Sequence, residues 1–144
     1  MSSLPVVKSF EFDDFDHFAE YVQQGDIVHQ QLSKGHFSGS LQQIAGKHVI
    51  LSIHRMNQFI LQQGKVIDGY ITFFIPGDKN QDFTWRCHQL RSNVIGVLHG
   101  GMEHHCITHP NFLGMPVSIA SGYLLKRAQD LGYSDFFKMI AQRE

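Results

Sequence analysis

The chain has 144 residues, enough for one domain around one core and too few for two. Apolar residues make up 42%, charged residues 17% and aromatics 12%, a folded composition that excludes a disordered tail. Twelve Lys and Arg against thirteen Asp and Glu leave a formal charge of −1, so no basic surplus is present to grip nucleic acid or an acidic membrane.

In chain order, a helix over about 13–24 is expected first. Phe15, Phe18, Ala19 and Val22 fall at i, i+3, i+4 and i+7 and make one apolar stripe. Asp13 or Asp14 can cap its amides, and Gly25 offers a left-handed stop. From about 27 to 121 the texture is β. About eight short apolar segments recur between turn residues such as Lys34-Gly35, Gln63-Gly64, Pro76-Gly77, Gly100-Gly101 and Pro110-Asn111. Lys47–Gln62 reads as the longest strand. This spacing predicts a mainly β fold, an antiparallel sandwich or barrel of the jelly-roll type, since no helices separate the strands as a parallel sheet requires. Two helices over about 122–143 close the chain. The first carries Leu124, Leu125, Ala128 and Leu131 and stops at Gly132; the second is capped by Ser134 and carries Phe136, Phe137 and Ile140. The whole is read as one domain.

The N-terminus lacks a signal-peptide core and no apolar run reaches membrane-spanning length, so a cytoplasmic protein is expected. Cys87 and Cys106 are the only cysteines; no disulfide framework or four-ligand zinc set can be built from them.

The longest strand carries the most information. Val49, Leu51, Ile53, Arg55, Asn57, Phe59 and Leu61 alternate along one face that is apolar except at Arg55 and Asn57. The other face, with His48, Ser52, His54 and Gln58, reads as the more solvated. In that register Arg55 and Asn57 point inward. A buried guanidinium demands an anion or carbonyls, either an internal partner or a ligand held in the barrel mouth. Tyr70 and Trp85 are the candidate walls of such a pocket, because each has a polar handle that needs a partner when buried. Core packing is the ordinary alternative for both.

Ten histidines are the outlier in composition; protonating all of them would take the formal charge from −1 to +9. No HxH pair exists to set two imidazoles on one strand face. His105 and His109 are four apart, but Pro110 holds His109 extended. The remaining metal alternative is His99, Glu103 and His104 around the loop at 99–105, against a solvated histidine-rich loop. No nucleophile elbow, P-loop or dinucleotide fingerprint is present, so no enzyme and no cofactor are expected.

The segment FDDFDHFAEYVQQGDIVHQQLSKGHFSGSLQQI at 12–44 resembles the start of the N-terminal sensing domain of AraC/XylS-type transcriptional regulators, in the branch that includes ethanolamine-operon regulators. His54-Arg55-Met56-Asn57 followed by Gln63-Gly64, the strand around Trp85, and His109-Pro110-Asn111-Phe112 continue the likeness through most of the chain. His36 and Cys87-His88 depart from the usual pattern. The resemblance implies a cupin-like jelly-roll that binds a small-molecule effector and forms a homodimer. DNA would be bound only through a C-terminal helix-turn-helix domain, which this chain lacks. Leu124, Ala128, Leu131, Phe136, Phe137 and Ile140 are the expected dimer surface, with packing onto their own sandwich as the alternative. A small amine or a cobalamin-type effector follows from the resemblance, whereas a cationic anchor asks for a carboxylate or phosphate. A cupin metalloenzyme and a ligand-free dimerisation module are the rival functions.

Overall fold

The computed structural model describes residues 4–22, 26–78, 81–91 and 93–141. The fold is mainly antiparallel β. Eleven strands are described rather than eight: β1 (Val6–Phe12), β2 (Val28–Gln31), β3 (Gly39–Ala45), β4 (Val49–Met56), β5 (Ile60–Lys65), β6 (Tyr70–Pro76), β7 (Asp82–Trp85), β8 (His88–Arg91), β9 (Gly96–His99), β10 (Glu103–Thr108) and β11 (Phe112–Ala120). They form a six-stranded sheet in the order β1-β3-β4-β11-β6-β9 and a five-stranded sheet in the order β2-β5-β10-β7-β8. Every pairing is antiparallel.

Three differences from the sequence reading have local causes. The chain begins with a strand, not a helix: β1 pairs along its full length with β3 and forms the sheet edge, where its mostly exposed residues carry no inward apolar alternation. The expected strand at 47–62 is two strands in different sheets. The crossing at 57–59 contains no Gly or Pro and is held by side chains instead. Asn57 Nδ2 donates to the His36 carbonyl (3.0 Å), Asn57 Oδ1 accepts from Ser38 N–H (2.8 Å), and Ser33 Oγ accepts from Phe59 N–H (2.9 Å). The segment at 83–91 is a hairpin, β7–β8, whose turn residues Arg86 and Cys87 are left-handed at φ 50° and 64°. Pro116 sits within the central strand β11; it has no amide hydrogen, and the ladder to β4 skips residues 115 and 116.

Helix α1 (Phe15–Val22) starts where Asp14 Oδ1 accepts from His17 N–H at 3.0 Å, an N-cap. Gly25, its expected stop, and residues 23 and 24 lie outside the described residues. The helix buries Phe18 and Val22 against Phe12, Phe37, Leu41, Met56 and Ile60 in one apolar cluster. A second cluster gathers Phe83, Cys106 and Phe112, with Phe74, Trp85 and Leu90 against it. Two further helices, α2 (Ser121–Asp130) and α3 (Phe136–Ala141), follow β11. Gly132 takes φ 83° just past α2, and Tyr133 N–H reaches back to the Ala128 carbonyl at 2.7 Å. His48 stacks on Tyr123 of α2 at 4.3 Å, which ties that helix to the start of β4. Of the expected dimer stripe, Ala128 is buried by its own chain, Leu124 and Phe136 are half-buried, and Leu131 is 65% exposed. The side chains of Phe137 and Ile140, and residues 142 and 143, lie outside the described residues. Among the described residues no helix is long and apolar enough to cross a membrane.

Candidate functional site

The face of β4 that meets the second sheet is the one expected to be solvated. Ser52, His54 and Met56 are buried, whereas Arg55 is exposed. Strand alternation forces this: with His54 and Met56 under the opposite sheet, Arg55 must face out. Its guanidinium lies 3.8 Å from the Asp78 carboxylate, both about half exposed. Arg55 is therefore not an interior anchor. Asn57 is spent on the loop at 36–38. Both line an open groove that also contains Glu11 and Asp13. Trp85 lines a separate crevice, and Tyr70 lines none of the three cavities described. The expected pocket of Arg55, Asn57, Tyr70 and Trp85 is not assembled.

A different set of polar side chains does converge. Between the sheets lies a cavity of about 50 Å³, touching Val22 of one apolar cluster and Phe74 beside the other. His54 and Thr72 reach it from the six-stranded sheet, and His29, Gln62 and His104 from the five-stranded one. Register explains the second group: Gln62 lies opposite His29 on one side and Cys106 on the other, and His104 precedes Cys106 by two residues on the same face. Phe18 packs beside two of these imidazoles, in T-shaped contact with His29 at 6.4 Å and with His54 at 6.5 Å.

The hydrogen bonding of this cavity is incomplete. His104 Nε2 lies 3.1 Å from Gln62 Oε1. A carbonyl oxygen only accepts, so Nε2 carries the proton and Nδ1 presents a lone pair. That Nδ1, His29 Nδ1 and His54 Nε2 are buried with no partner among the described residues. By contrast, Thr72 and Ser118 satisfy each other at 2.8 Å. Burial pushes His54 down to about 3 and His29 and His104 down to about 4, with the neighbouring His29 adding to the effect on the other two. All three imidazoles are neutral at pH 7. Burial likewise pushes the Cys106 thiol up to about 12, which leaves it an inert part of the core.

The alternative metal set is also dispersed. Glu103 and His104 are adjacent on β10, so they face opposite sides; Glu103 is exposed, and His99 lines the same crevice as Trp85. Among the described residues no group of three or more His, Cys, Asp or Glu is gathered tightly enough to hold a metal ion. Of the metal candidates His99, Glu103 and His104, only His104 lines the interior cavity. His29 and His54 lacked a motif, since the cavity joins one residue from each of three distant strands. The signal available was the polar Ser52-x-His54 alternation on the longest apolar segment.

The pocket is thus a small, mostly apolar chamber whose wall presents three unpartnered ring nitrogens, that of His104 as a lone pair. It suits a guest of a few heavy atoms with an N–H or O–H donor to meet that lone pair.

No protein-family model matches the chain, and no curated protein matches it. Solved structures similar to it include a predicted oxalate decarboxylase from Thermotoga maritima, 13% identical over 69% of this chain and 97% of that one, with a TM-score of 0.44. The EutQ protein of Clostridium difficile is 10% identical over 78% of this chain and 94% of its own, with a TM-score of 0.42. The cupin domain of Schizosaccharomyces pombe Cnp3 is 10% identical over 88% and 95%, with a TM-score of 0.41. Likeness of this degree assigns no ligand and no activity.

Proposed function

We propose that this chain is a jelly-roll effector-sensing domain of the AraC/XylS type, which takes a small donor-bearing molecule, an amine or an alcohol, into the chamber between its sheets. The observation that carries the reading is the chamber itself: three neutral imidazoles with unpartnered ring nitrogens, that of His104 a lone pair, walled by apolar side chains. With Arg55 outside, the reason to expect an anionic guest there is gone. A small amine agrees with the resemblance at 12–44. Binding fits these groups better than proton transfer, since an imidazole titrating near 3 or 4 is too weak a base to act at neutral pH.

In this reading a guest changes transcription by favouring one arrangement of α2 and α3, which would lead to a DNA-binding domain. Typical couplings of this kind amount to about 1–3 kcal/mol. Homodimerisation through the exposed Leu131 and the half-buried Leu124 and Phe136 belongs to the same proposal; Ala128 does not.

Thermal melts of the whole chain at pH 7.5 test it, with 2-aminoethanol, ethylene glycol and acetate as probes. A guest at a hundred times its Kd stabilises by about 2.7 kcal/mol, a shift of several degrees. The amine or the diol should raise the midpoint and acetate should not, and folded His104→Asn and Gln62→Leu variants should lose the shift. If acetate alone stabilises, or no probe does, the sensing reading fails. The coding sequence beyond Glu144 tests the regulator part: two helix-turn-helix units are expected there, and a different domain type overturns that assignment.

A further inference from the structure

A second cavity is larger and chemically opposite. It is a crevice of about 690 Å³ between the β9 edge of one sheet, the β7–β8 hairpin of the other, and α3. That volume is in the usual range for sites that bind small organic molecules. Phe73 and Val97, whose strand neighbours Thr72 and Leu98 face the sandwich interior, form its apolar floor. Ile95 and Met139 stand at its sides, 57% and 51% exposed, a high exposure for side chains of this size.

Beside His88 and His99, two polar groups here are donors only. Trp85 Nε1–H is buried and has no acceptor among the described residues. The Arg86 guanidinium lies 5.9 Å from the centre of the Trp85 ring, and its one hydrogen bond among the described residues is a long contact of 3.4 Å to the Glu103 backbone carbonyl. Among the described residues no carboxylate is paired with it. The hairpin fixes this pair. Arg86 N–H donates to the His105 carbonyl at 3.0 Å, and the left-handed φ of 50° at Arg86, unfavourable for a side-chain-bearing residue, turns the chain immediately after Trp85.

We propose that this crevice binds an amphipathic monocarboxylate, its hydrocarbon part lying along Phe73, Val97 and Met139 and its carboxylate accepting from Trp85 Nε1–H and the Arg86 guanidinium. An acceptor suits Trp85 Nε1–H and the Arg86 guanidinium because both can only donate; an anion is preferred because the guanidinium is a cation that is never deprotonated. The apolar floor selects a hydrocarbon tail over a small ion such as acetate. Because Met139 belongs to α3, a bound molecule also fixes that helix. The site is separate from the interior chamber in location and in the charge it prefers.

Trp85 is the sole tryptophan of the chain, so it reports on the site without labelling beyond nitrogen-15. Octanoate titrated into the whole protein should change Trp85 fluorescence saturably and move the single indole N–H resonance downfield. Octanol should bind at least tenfold more weakly. Arg86→Ala should weaken octanoate at least tenfold, with octanol binding and the circular dichroism spectrum unchanged; Arg86→Lys should retain part of the affinity. Equal responses to octanoate and octanol, an octanoate response unaffected by Arg86→Ala, or no saturable response would each overturn the proposal. So would sedimentation showing a dimer that buries Trp85 and excludes octanoate. Octanoate is too long for the interior chamber, so failure here leaves the sensing reading untouched, and failure of the sensing reading leaves this one standing.

Discussion

On β4 a single residue step separates a buried imidazole, His54, from an exposed guanidinium, Arg55. The energetic consequences are equally different. The Arg55–Asp78 pair is half exposed and 3.8 Å long, so solvent screens most of its attraction. Arg55→Ala should therefore change the unfolding free energy by less than about 1 kcal/mol in urea melts. Asn57→Ala should cost more, about 1–2 kcal/mol, because one amide serves both the Ser38 N–H and the His36 carbonyl and so pins the crossing between the two sheets. The opposite order, with Arg55→Ala the more damaging, would return the guanidinium to the interior and sink the outward register.

At the scale of elements, α1 acts as a plug. Phe18 is fully buried and its ring edge faces both His29 and His54. Phe18→Ala should destabilise by about 3–5 kcal/mol, the usual cost of removing a buried aromatic ring. It should also let water reach the chamber, so the His54 titration, followed by NMR, should rise from about 3 toward the ordinary 6.5. A His54 titration that stays put would mean that other side chains seal the chamber. Sheet geometry supplies a second test. Gly64 on β5 has φ 149°, and a Cβ there would lie 2.1 Å from the Asp26 carbonyl oxygen. Gly64→Ala must displace backbone, and the folded yield, judged by circular dichroism, should fall sharply. The elements differ in how far they could be read from the sequence, and the reason is range. The Asp14 cap and the Gly132 stop are local chemistry, as are the alternating apolar segments, and all were legible. Which face of β4 lies inside depends on where the second sheet sits, a fact carried by residues far away in the chain. Local pattern pointed the wrong way, because half-buried Leu51 and Ile53 face outward while Ser52 and His54 are buried and His54 lines the chamber. The chamber was illegible for the same cause, its polar side chains coming from β2, β4, β5, β6 and β10.

For the molecule as a whole, the three refused protons set the acid limit of stability. His29, His54 and His104 titrate near 4, 3 and 4 when folded and near 6.5 when unfolded. Above 6.5 neither state binds protons at these sites, so their penalty is absent. As the pH falls below 6.5 the unfolded chain takes up protons that the fold rejects, and stability declines until the folded values near 4 and 3 are passed. If all three count fully, the steepest slope is about 4 kcal/mol per pH unit. The groups near His104, namely His29, His105 and Arg86, all oppose its protonation. Urea midpoints measured from pH 7.5 to 5 should therefore fall steadily. Replacing His54 with Leu should flatten the slope by about a third, roughly 1.4 kcal/mol per unit. The same chemistry links acidity to occupancy. A guest that binds only the fold stabilises it by an amount set by its concentration and affinity, so with unchanged affinity it should raise the unfolding free energy equally at pH 7.5 and pH 5. Titrations at pH 7.5 and 5 read that affinity directly, and it should stay within about twofold, because folded histidines with such low values remain neutral across that interval. A midpoint that does not move between pH 7.5 and 5 would mean that the imidazoles are open to solvent, and the closed chamber would have to be abandoned.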